Sequence, residues 1–275
     1  MPVARIRFVS VLFMTILGII CLTMSLACFV GYALQRRRMA PIRVTMTSSV
    51  AHVRELAQAF AQFTSAKTFR QLVEVKGHVA CAEPLVAPLS ETACVYYSLR
   101  VSWEYEEIFY EEKPGGGRIA HEREAEEILA QEQRRQAFRV HDDSGEIALD
   151  PEGCEVIALN TLSRHEEDAG LPDETVRCGR FAMTAPWKTS AEERRPLRYH
   201  FEEEAIPVGS AIYVLAEATG TGGEVRLQKP AAGGRFLVSV KPEEDLLAAA
   251  QFAMWALLAG AIICGVIAAA LLFTS

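Results

Sequence analysis

Residues 8–34 read FVSVLFMTILGIICLTMSLACFVGYAL, and residues 246–275 read LLAAAQFAMWALLAGAIICGVIAAALLFTS. Neither stretch contains Asp, Glu, Lys, Arg or His. Each is longer than the roughly 20 apolar residues that an α-helix needs to cross the hydrocarbon core of a bilayer. The sequence therefore predicts an integral membrane protein with two transmembrane helices, at residues 8–34 and 246–273. A single extramembrane domain lies between them.

The charge of the intervening region argues against a nucleic-acid partner. Apart from Arg5 and Arg7, every charged side chain of the chain lies there, and its 26 basic and 35 acidic residues give a formal charge of −9. Proteins that bind DNA or RNA need a basic surface that displaces counterions from phosphates. We therefore expect a membrane lipid, an unidentified protein or a second copy of the chain as partner.

Basic side chains cluster directly after the first apolar stretch, at Arg36, Arg37, Arg38 and Arg43. Lipid headgroups of the cytoplasmic leaflet are often anionic and attract such clusters, and an excess of Lys and Arg marks the cytoplasmic side of a membrane protein. The cluster, with Lys241 before the second stretch, outweighs Arg5, Arg7 and the amino terminus. The sequence thus favours a two-pass chain with a cytoplasmic domain and both termini on the opposite side.

Residues 47–66 have the pattern of an amphipathic helix preceded by capping residues. Val50, Val53, Leu56, Phe60 and Phe63 recur at steps of three and four. The helix contains few basic residues, which favours packing on protein over insertion into a lipid surface. Phe60 and Phe63 are candidate contact residues for a partner.

Residues 70–242 have the short alternating segments and glycine turns of a mainly β domain. Period-two patterns at residues 72–79, 94–105, 198–206 and 211–216 predict strands. Residues 137–140 and 146–149 predict a hairpin around His141-Asp142-Asp143-Ser144-Gly145. We expect a barrel- or sandwich-like α+β domain. The density of Glu, Gln, Ala and Arg at residues 118–135 predicts a helix or an exposed, mobile excursion.

A run of glutamates follows the long second strand and offers a candidate interaction edge. Glu106, Glu107, Glu111 and Glu112 are its main members, with Glu104 before them. Such a run is usually a solvated face, and as a functional surface it would recognise a basic partner or repel anionic lipid.

Residues with catalytic or metal-binding chemistry are sparse. His78 and Cys81 are close in sequence, but strand alternation puts them on opposite faces. His141 and Asp142 fit a turn better than a cation site. Cys81, Cys94, Cys154 and Cys178 are widely spaced without a C-x-x-C pair, which favours free thiols and leaves disulfide pairing open. The sequence predicts no catalytic residue, no metal ligand and no cofactor.

The order of several short motifs carries a family resemblance over residues 70–273. The motifs are VEVKGHV (73–79), CVYY (94–97), FRV (138–140), IPVGSAIYVLAE (206–217) and FLVS (236–239), the last just before an apolar span. This order resembles the GIDE domain, also called the BAM or "beside a membrane" domain, of RING-type E3 ubiquitin ligases such as the mitochondrial-anchored protein ligase.

The resemblance implies a membrane-anchored module of an E3 ubiquitin ligase family, in which the catalytic RING follows the second span. Here Thr274 and Ser275 follow the span, so we expect a RING-less, prokaryotic-type member and no ubiquitin transfer. The predicted function is a membrane-tethered, non-enzymatic protein-interaction or scaffold module. Three alternatives stay open. They are an accessory part of an E3-ligase-like machinery, a lipid-sensing module at the membrane surface, and a hydrolase or metal enzyme of unrecognised type that uses His78, Cys81, His141 or Asp142.

Overall fold

The computed structural model describes residues 2–44, 47–63, 68–112, 116–168, 175–184, 194–221 and 224–274. The chain divides into two compact units. One unit combines the terminal segments Met1–Thr45 and Pro242–Ser275, and the other is Met46–Lys241.

The terminal unit consists of two long helices, α1 (Pro2–Val44) and α3 (Glu243–Thr274). Phe13–Arg37 and Leu247–Phe273 within them are long and apolar enough to cross a membrane. The two helices expected from residues 8–34 and 246–273 are therefore confirmed as apolar helices. The first continues well past the end of its apolar stretch.

α1 and α3 pack antiparallel through small residues. Gly18 lies against Leu272, and Gly31 lies against Leu257. Between these contacts the Ser25 hydroxyl donates a hydrogen bond to the Ala261 carbonyl oxygen at 2.7 Å. Small side chains let helix backbones approach closely where apolar lipid supplies no hydrophobic drive for association. The pairing is thus of the kind that membrane helices use.

The central unit contains one helix, α2 (Val50–Phe63), and fourteen strands among its described residues. The strands are β1 (Phe69–Ala80), β2 (Leu85–Val86), β3 (Ala93–Glu112), β4 (Arg118–Arg135), β5 (Phe138–Asp142), β6 (Gly145–Leu149), β7 (Glu155–Ile157), β8 (Leu159–Glu167), β9 (Thr175–Cys178), β10 (Phe181–Thr184), β11 (Arg194–Pro207), β12 (Ala211–Thr221), β13 (Glu224–Gln228) and β14 (Leu237–Ser239). The predicted mainly β fold between two apolar helices is confirmed.

Five strands close into a barrel in the order β1-β5-β6-β13-β12, since β12 pairs back onto β1. β14 and β7 extend the sheet from β12. Alternate residues of these strands fill the barrel with one apolar core, which includes Val75, Val140, Ile147 and Val214. Closure leaves the barrel strands without free edges where they pair around the ring.

A second sheet forms a half-barrel in the order β4-β3-β11-β8, with β2 beside the start of β3. β9 and β10 form a separate hairpin. The half-barrel has its own core, built around Leu99, Trp103, Tyr199 and Phe201. The long strands β3 and β11 form the middle of this sheet. They pair antiparallel, and their pairing starts with Cys94 opposite Pro207.

The prediction of a helix or mobile excursion at residues 118–135 is wrong: these residues form β4, which pairs with β3 along its whole length. Among the described residues β4 pairs with no other strand, so it is an edge strand. Charged side chains on an edge strand prevent it from pairing with other chains. The Glu and Arg density that resembled helix propensity protects this long edge.

Helix α2 packs its apolar side on the barrel, as its pattern predicted. Val50, Val53 and Ala57 are buried in the barrel core. The side chain of Phe63 and residues 64–66, which belong to the predicted helical segment, lie outside the described part of the chain. Because the barrel covers the apolar side, the described side chains of α2 leave no large apolar face open to lipid.

The β5–β6 turn caps the amino terminus of α2 from 92 residues away. Asp142 Oδ2 accepts the Val50 N–H at 2.8 Å, and Ser144 Oγ accepts the Ala51 N–H at 2.9 Å. Partial burial alone would raise the pKa of Asp142, but hydrogen bonds from Ser144, Val50 and Gly145 outweigh it and lower the pKa. The predicted turn at Asp142 is confirmed, and it also fixes the helix on the barrel.

Candidate functional site

The far end of the β3–β4 hairpin extends past the rest of its sheet. β11 begins at Arg194, opposite Glu107 of β3. Beyond that point, within the part of the chain that the structure describes, β3 pairs only with β4. We call residues 108–112 and 118–122 the hairpin ribbon.

The hairpin ribbon exposes large apolar side chains on both faces. Phe109 is 46% exposed, Tyr110 is 54% exposed and Ile119 is 37% exposed. Because side chains alternate along a strand, Phe109 and Tyr110 point to opposite faces. Aromatic side chains are enriched in protein–protein interfaces, so exposed Phe109 and Tyr110 mark the ribbon as a candidate contact surface.

The predicted acidic edge falls in and beside the hairpin ribbon, but the structure does not gather it on one surface. Strand alternation places Glu106 and Glu112 on one face and Glu107 and Glu111 on the other. Most of these carboxylates also contact a base on a neighbouring strand: Glu106 with Arg195 at 3.5 Å, Glu107 with Arg123 at 2.7 Å, Glu111 with His121 at 3.1 Å and Glu104 with Arg198 at 2.6 Å.

Glu112 differs from these residues because it forms no ion pair with any residue that the structure describes. Its side chain shares a face of the ribbon with Tyr110, and Arg118 of β4 stands opposite it in the strand register. The geometry corrects the picture of a continuous acidic edge. It leaves an aromatic ribbon with largely compensated charges, while the interaction role of these glutamates stays a prediction.

The predicted contact residues on α2 are placed differently from the ribbon. Phe60 packs edge-on against Phe69 with ring centroids 5.7 Å apart, and it belongs to the rim of the barrel core. Its ring is therefore committed to holding α2 on the barrel, and only part of it remains accessible to a partner.

The predicted lipid-facing arginines lie on the extension of α1 beyond its apolar stretch. Arg36 and Arg37 are exposed there. Arg38 and Arg43 belong to the same helix, and their side chains lie outside the described part of the structure.

A groove of about 960 Å³ on the barrel collects arginines from four different elements. Arg54 comes from α2, Arg70 from β1, Arg139 from β5 and Arg226 from β13. Two of these charges are compensated, by Glu217 at 3.5 Å from Arg70 and by Glu146 at 3.1 Å from Arg139. The remaining positive charge of the groove is modest. The sequence did not predict this arginine cluster, because its members are far apart in the chain.

The cysteines of the central unit have free thiols. Burial raises the pKa of both Cys94 and Cys154 to about 11, and it also raises the pKa of Cys178. Nucleophilic attack and metal binding need the thiolate. At neutral pH these three groups are protonated, which suits a role in core packing.

The family model that matches the chain is GIDE, described as E3 Ubiquitin ligase, and it covers residues 106–273. That range is more than half of the chain. The chain belongs to the GIDE family. The resemblance drawn from the sequence motifs is thereby confirmed for this range, while the motifs at residues 73–79 and 94–97 lie before it.

The part of the chain that matches GIDE begins within the long strand β3. It includes the hairpin ribbon, all of β4 and the apolar helix α3. No curated protein and no solved structure matches the chain. Family membership thus rests on the match to the GIDE model.

This GIDE-family member contains one further side-chain cluster that the sequence did not reveal. Glu104 of β3, His165 of β8 and His200 of β11 bring their donor atoms within 4.8 Å of one another. The two histidines are 35 positions apart, and only the register of β8 against β11 sets them opposite each other. No local spacing signals such a site.

Proposed function

We propose that this chain is a membrane-tethered, non-enzymatic protein-interaction module of the GIDE family. The observation that carries the proposal is the hairpin ribbon, whose Phe109, Tyr110 and Ile119 are exposed beyond the edge of the sheet. Helices long and apolar enough to span a membrane stand at both ends of the chain. Tethering restricts how a surface can approach its partner, so even weak contacts gain effective concentration.

The side-chain chemistry supports a binding role over a catalytic one. The three buried cysteines are protonated at neutral pH, since burial raises their pKa. His78 is exposed on β1, and Cys81 follows the end of that strand. A catalytic cysteine needs an electropositive environment that stabilises its thiolate, and burial in an apolar core does the opposite.

A second candidate role follows from the printed description of the family, E3 Ubiquitin ligase. In that role the chain is an accessory part of a ligase-like machinery and uses the same ribbon to hold a catalytic partner. The lipid-sensing alternative has less support, because the apolar side of α2 is already packed on the barrel.

For the side of the membrane we propose the cytoplasm. The support is the cluster of arginines on the extension of α1, together with the general excess of basic residues on the cytoplasmic side of membrane proteins. Both chain termini then lie on the opposite side.

A photo-crosslinking residue at Tyr110 tests the ribbon directly. In intact membranes we expect a discrete covalent adduct from position 110. The same residue at Val208, an exposed apolar position in the β11–β12 turn, is the matched control and should give none. Phe109 lies on the other face of the ribbon, so its role is read from a second crosslinking position, Ile119, which shares that face. From position 119, Phe109→Ser should weaken adduct formation by about 30-fold, because truncating an aromatic anchor at the centre of an interface costs about 2 kcal/mol.

Glu112→Lys separates charge from apolar contact in the same assay. It breaks no ion pair of the described structure but places a second positive charge opposite Arg118, so the neutral Glu112→Gln is tested beside it. A loss of adduct in both variants indicates that the partner surface is basic. The proposed docking surface is wrong if positions 110 and 208 crosslink equally, or if Phe109→Ser leaves the adduct from position 119 unchanged.

A further inference from the structure

The outer face of the half-barrel holds the cluster of two histidines and one glutamate. His200 of β11 lies directly opposite His165 of β8, and Glu104 of β3 lies opposite Arg198, two residues before His200. Alternation along the strands puts all three side chains on the face opposite the buried Trp103, Tyr199 and Phe201. The ligand atoms of three neighbouring strands therefore lie close together on this face.

The donor set is specific in its chemistry. Two imidazoles and one carboxylate suit zinc and similar divalent transition metals, whereas calcium and magnesium prefer sites built from oxygen. We propose that Glu104, His165 and His200 bind a divalent transition-metal ion of the zinc class.

The distances fit such an ion with small adjustments. His165 Nε2 lies 3.7 Å from Glu104 Oε1, and all three donor atoms lie within 4.8 Å of one another. A tetrahedral zinc ion with bonds of 2.0–2.2 Å holds its ligand atoms roughly 3.3–3.6 Å apart. The donor atoms therefore have to approach one another by about 1 Å, and one imidazole has to rotate about its side-chain bonds, while the sheet backbone can stay in place.

The surroundings of the cluster orient its ligands. Arg198 Nε donates to Glu104 Oε2 at 2.6 Å, which leaves Oε1 turned towards His165. Partners of this kind fix the orientation of metal ligands. The carboxylate of Glu202 lies 3.5 Å from His200 Nε2, so either it or a water molecule can complete the four-coordinate set.

Burial is intermediate, which suits an ion that enters from solvent. The side chain of His165 is 49% exposed, that of Glu104 is 20% exposed and that of His200 is 17% exposed. The two imidazole rings are stacked, with centroids 4.0 Å apart and an interplanar angle of 8°. The nitrogen lone pairs of imidazole lie in the ring plane, so a shared metal ion requires at least one of the two rings to turn out of this stack.

The test uses the full chain, purified in detergent, stripped with a chelator and titrated with zinc chloride and separately with cobalt chloride. We expect one equivalent of zinc to bind and to raise the melting temperature, since a ligand of the native state alone stabilises that state. Bound cobalt should show the visible bands of four-coordinate nitrogen and oxygen ligation, without a thiolate charge-transfer band.

His165→Ala and His200→Ala should each weaken zinc binding by at least about 10-fold, the smallest effect expected even for residues that only support a metal ligand. His52→Ala removes an exposed histidine on α2 and is the matched control, which should bind zinc like the parent chain. His165 is the more exposed of the two ligands, so its variant separates loss of metal from loss of fold. The proposal is overturned if the parent chain binds no zinc, or if all three variants bind it equally.

Discussion

Glu203→Ala should destabilise the half-barrel by about 3–5 kcal/mol, more than any other single polar substitution that we consider. Glu203 lies on β11 with its side chain fully buried, between Phe201 and Ala205 on the inner face of the strand. A buried carboxylate is tolerated only where hydrogen bonds satisfy it.

Three groups donate hydrogen bonds to the Glu203 carboxylate, and they link β11 to β8 and to the segment between β2 and β3. The Leu89 N–H donates to Oε2 at 2.7 Å, and the Ser90 N–H donates to Oε1 at 3.0 Å. The Thr161 hydroxyl of β8 donates to Oε1 at 3.1 Å. Alanine leaves two buried N–H groups without an acceptor, each worth about 1–3 kcal/mol, and adds a cavity.

Denaturant unfolding of the full chain in detergent, followed by near-ultraviolet circular dichroism, measures this loss. Glu204→Ala is the matched control: it removes a neighbouring glutamate that is exposed on the outer face of the same strand, and it should change stability by less than about 0.5 kcal/mol. Equal stability of the two variants would show that the Glu203 contacts do not hold the sheet together.

Gly77→Ala should destabilise the barrel by about 3 kcal/mol, near the upper end of the cost of overpacking. At this point β1 is crossing between partners: it pairs with β12 up to His78 and with β5 from His78 onwards. A Cβ atom on Gly77 would lie 2.5 Å from the His141 carbonyl oxygen and 2.9 Å from Val140 Cγ1. Since the carbonyl belongs to the paired strand β5, it cannot move aside without opening the barrel.

Gly209→Ala is the control that separates backbone strain from lack of space. Gly209 has a positive φ of 81°, but a Cβ atom added there would have no other atom within 4 Å among the described residues. Alanine there should cost only about 1 kcal/mol of left-handed strain. Hydrogen exchange of the β5 amides should rise in Gly77→Ala and stay near the parent rate in Gly209→Ala. Unchanged protection of β5 in Gly77→Ala would contradict the packing account.

Much of the fold could be predicted from the sequence because the patterns that indicate its elements lie within short segments of the chain. The two apolar stretches, the period-two segments of β1, β3, β11 and β12, and the turn residues of the β5–β6 hairpin all predicted the elements that the structure contains. Gly77 also interrupted an otherwise regular strand pattern, which is the usual sign of a close backbone approach.

The strands that sequence reasoning missed are those whose environment decides their conformation. β4 has strong helix formers along its length, and only its long pairing with β3 makes it a strand. β7, β9 and β10 are three or four residues long, too short for a periodic pattern to emerge. β8 was missed as well, because neither of its faces is deeply buried and its sequence therefore has no apolar period of two.

The candidate sites depend on contacts between distant residues, so the sequence predicted them least well. The glutamates near the end of β3 were visible as a run, but their division between two faces follows from the strand, and their ion pairs follow from the register of β4 and β11. The Glu104, His165 and His200 cluster needs three strands in register. The helical pattern alone made Phe60 a candidate surface residue, but in the structure its ring packs on the barrel.

We propose that the chain crosses the membrane twice and that its β-rich unit lies on one side. Single cysteines at Pro2, Ala232 and Ser275 test this with a membrane-impermeant thiol reagent, after replacing Cys81 and the cysteines of the two apolar helices. Ala232 lies in an exposed turn between β13 and β14. The three buried cysteines of the central unit can stay, because burial raises the pKa of each thiol and keeps it unreactive. We expect labelling of positions 2 and 275 in intact cells, and labelling of position 232 only after lysis. Labelling of only one of the two chain ends in intact cells, or of position 232 together with both ends, would contradict the two-pass arrangement.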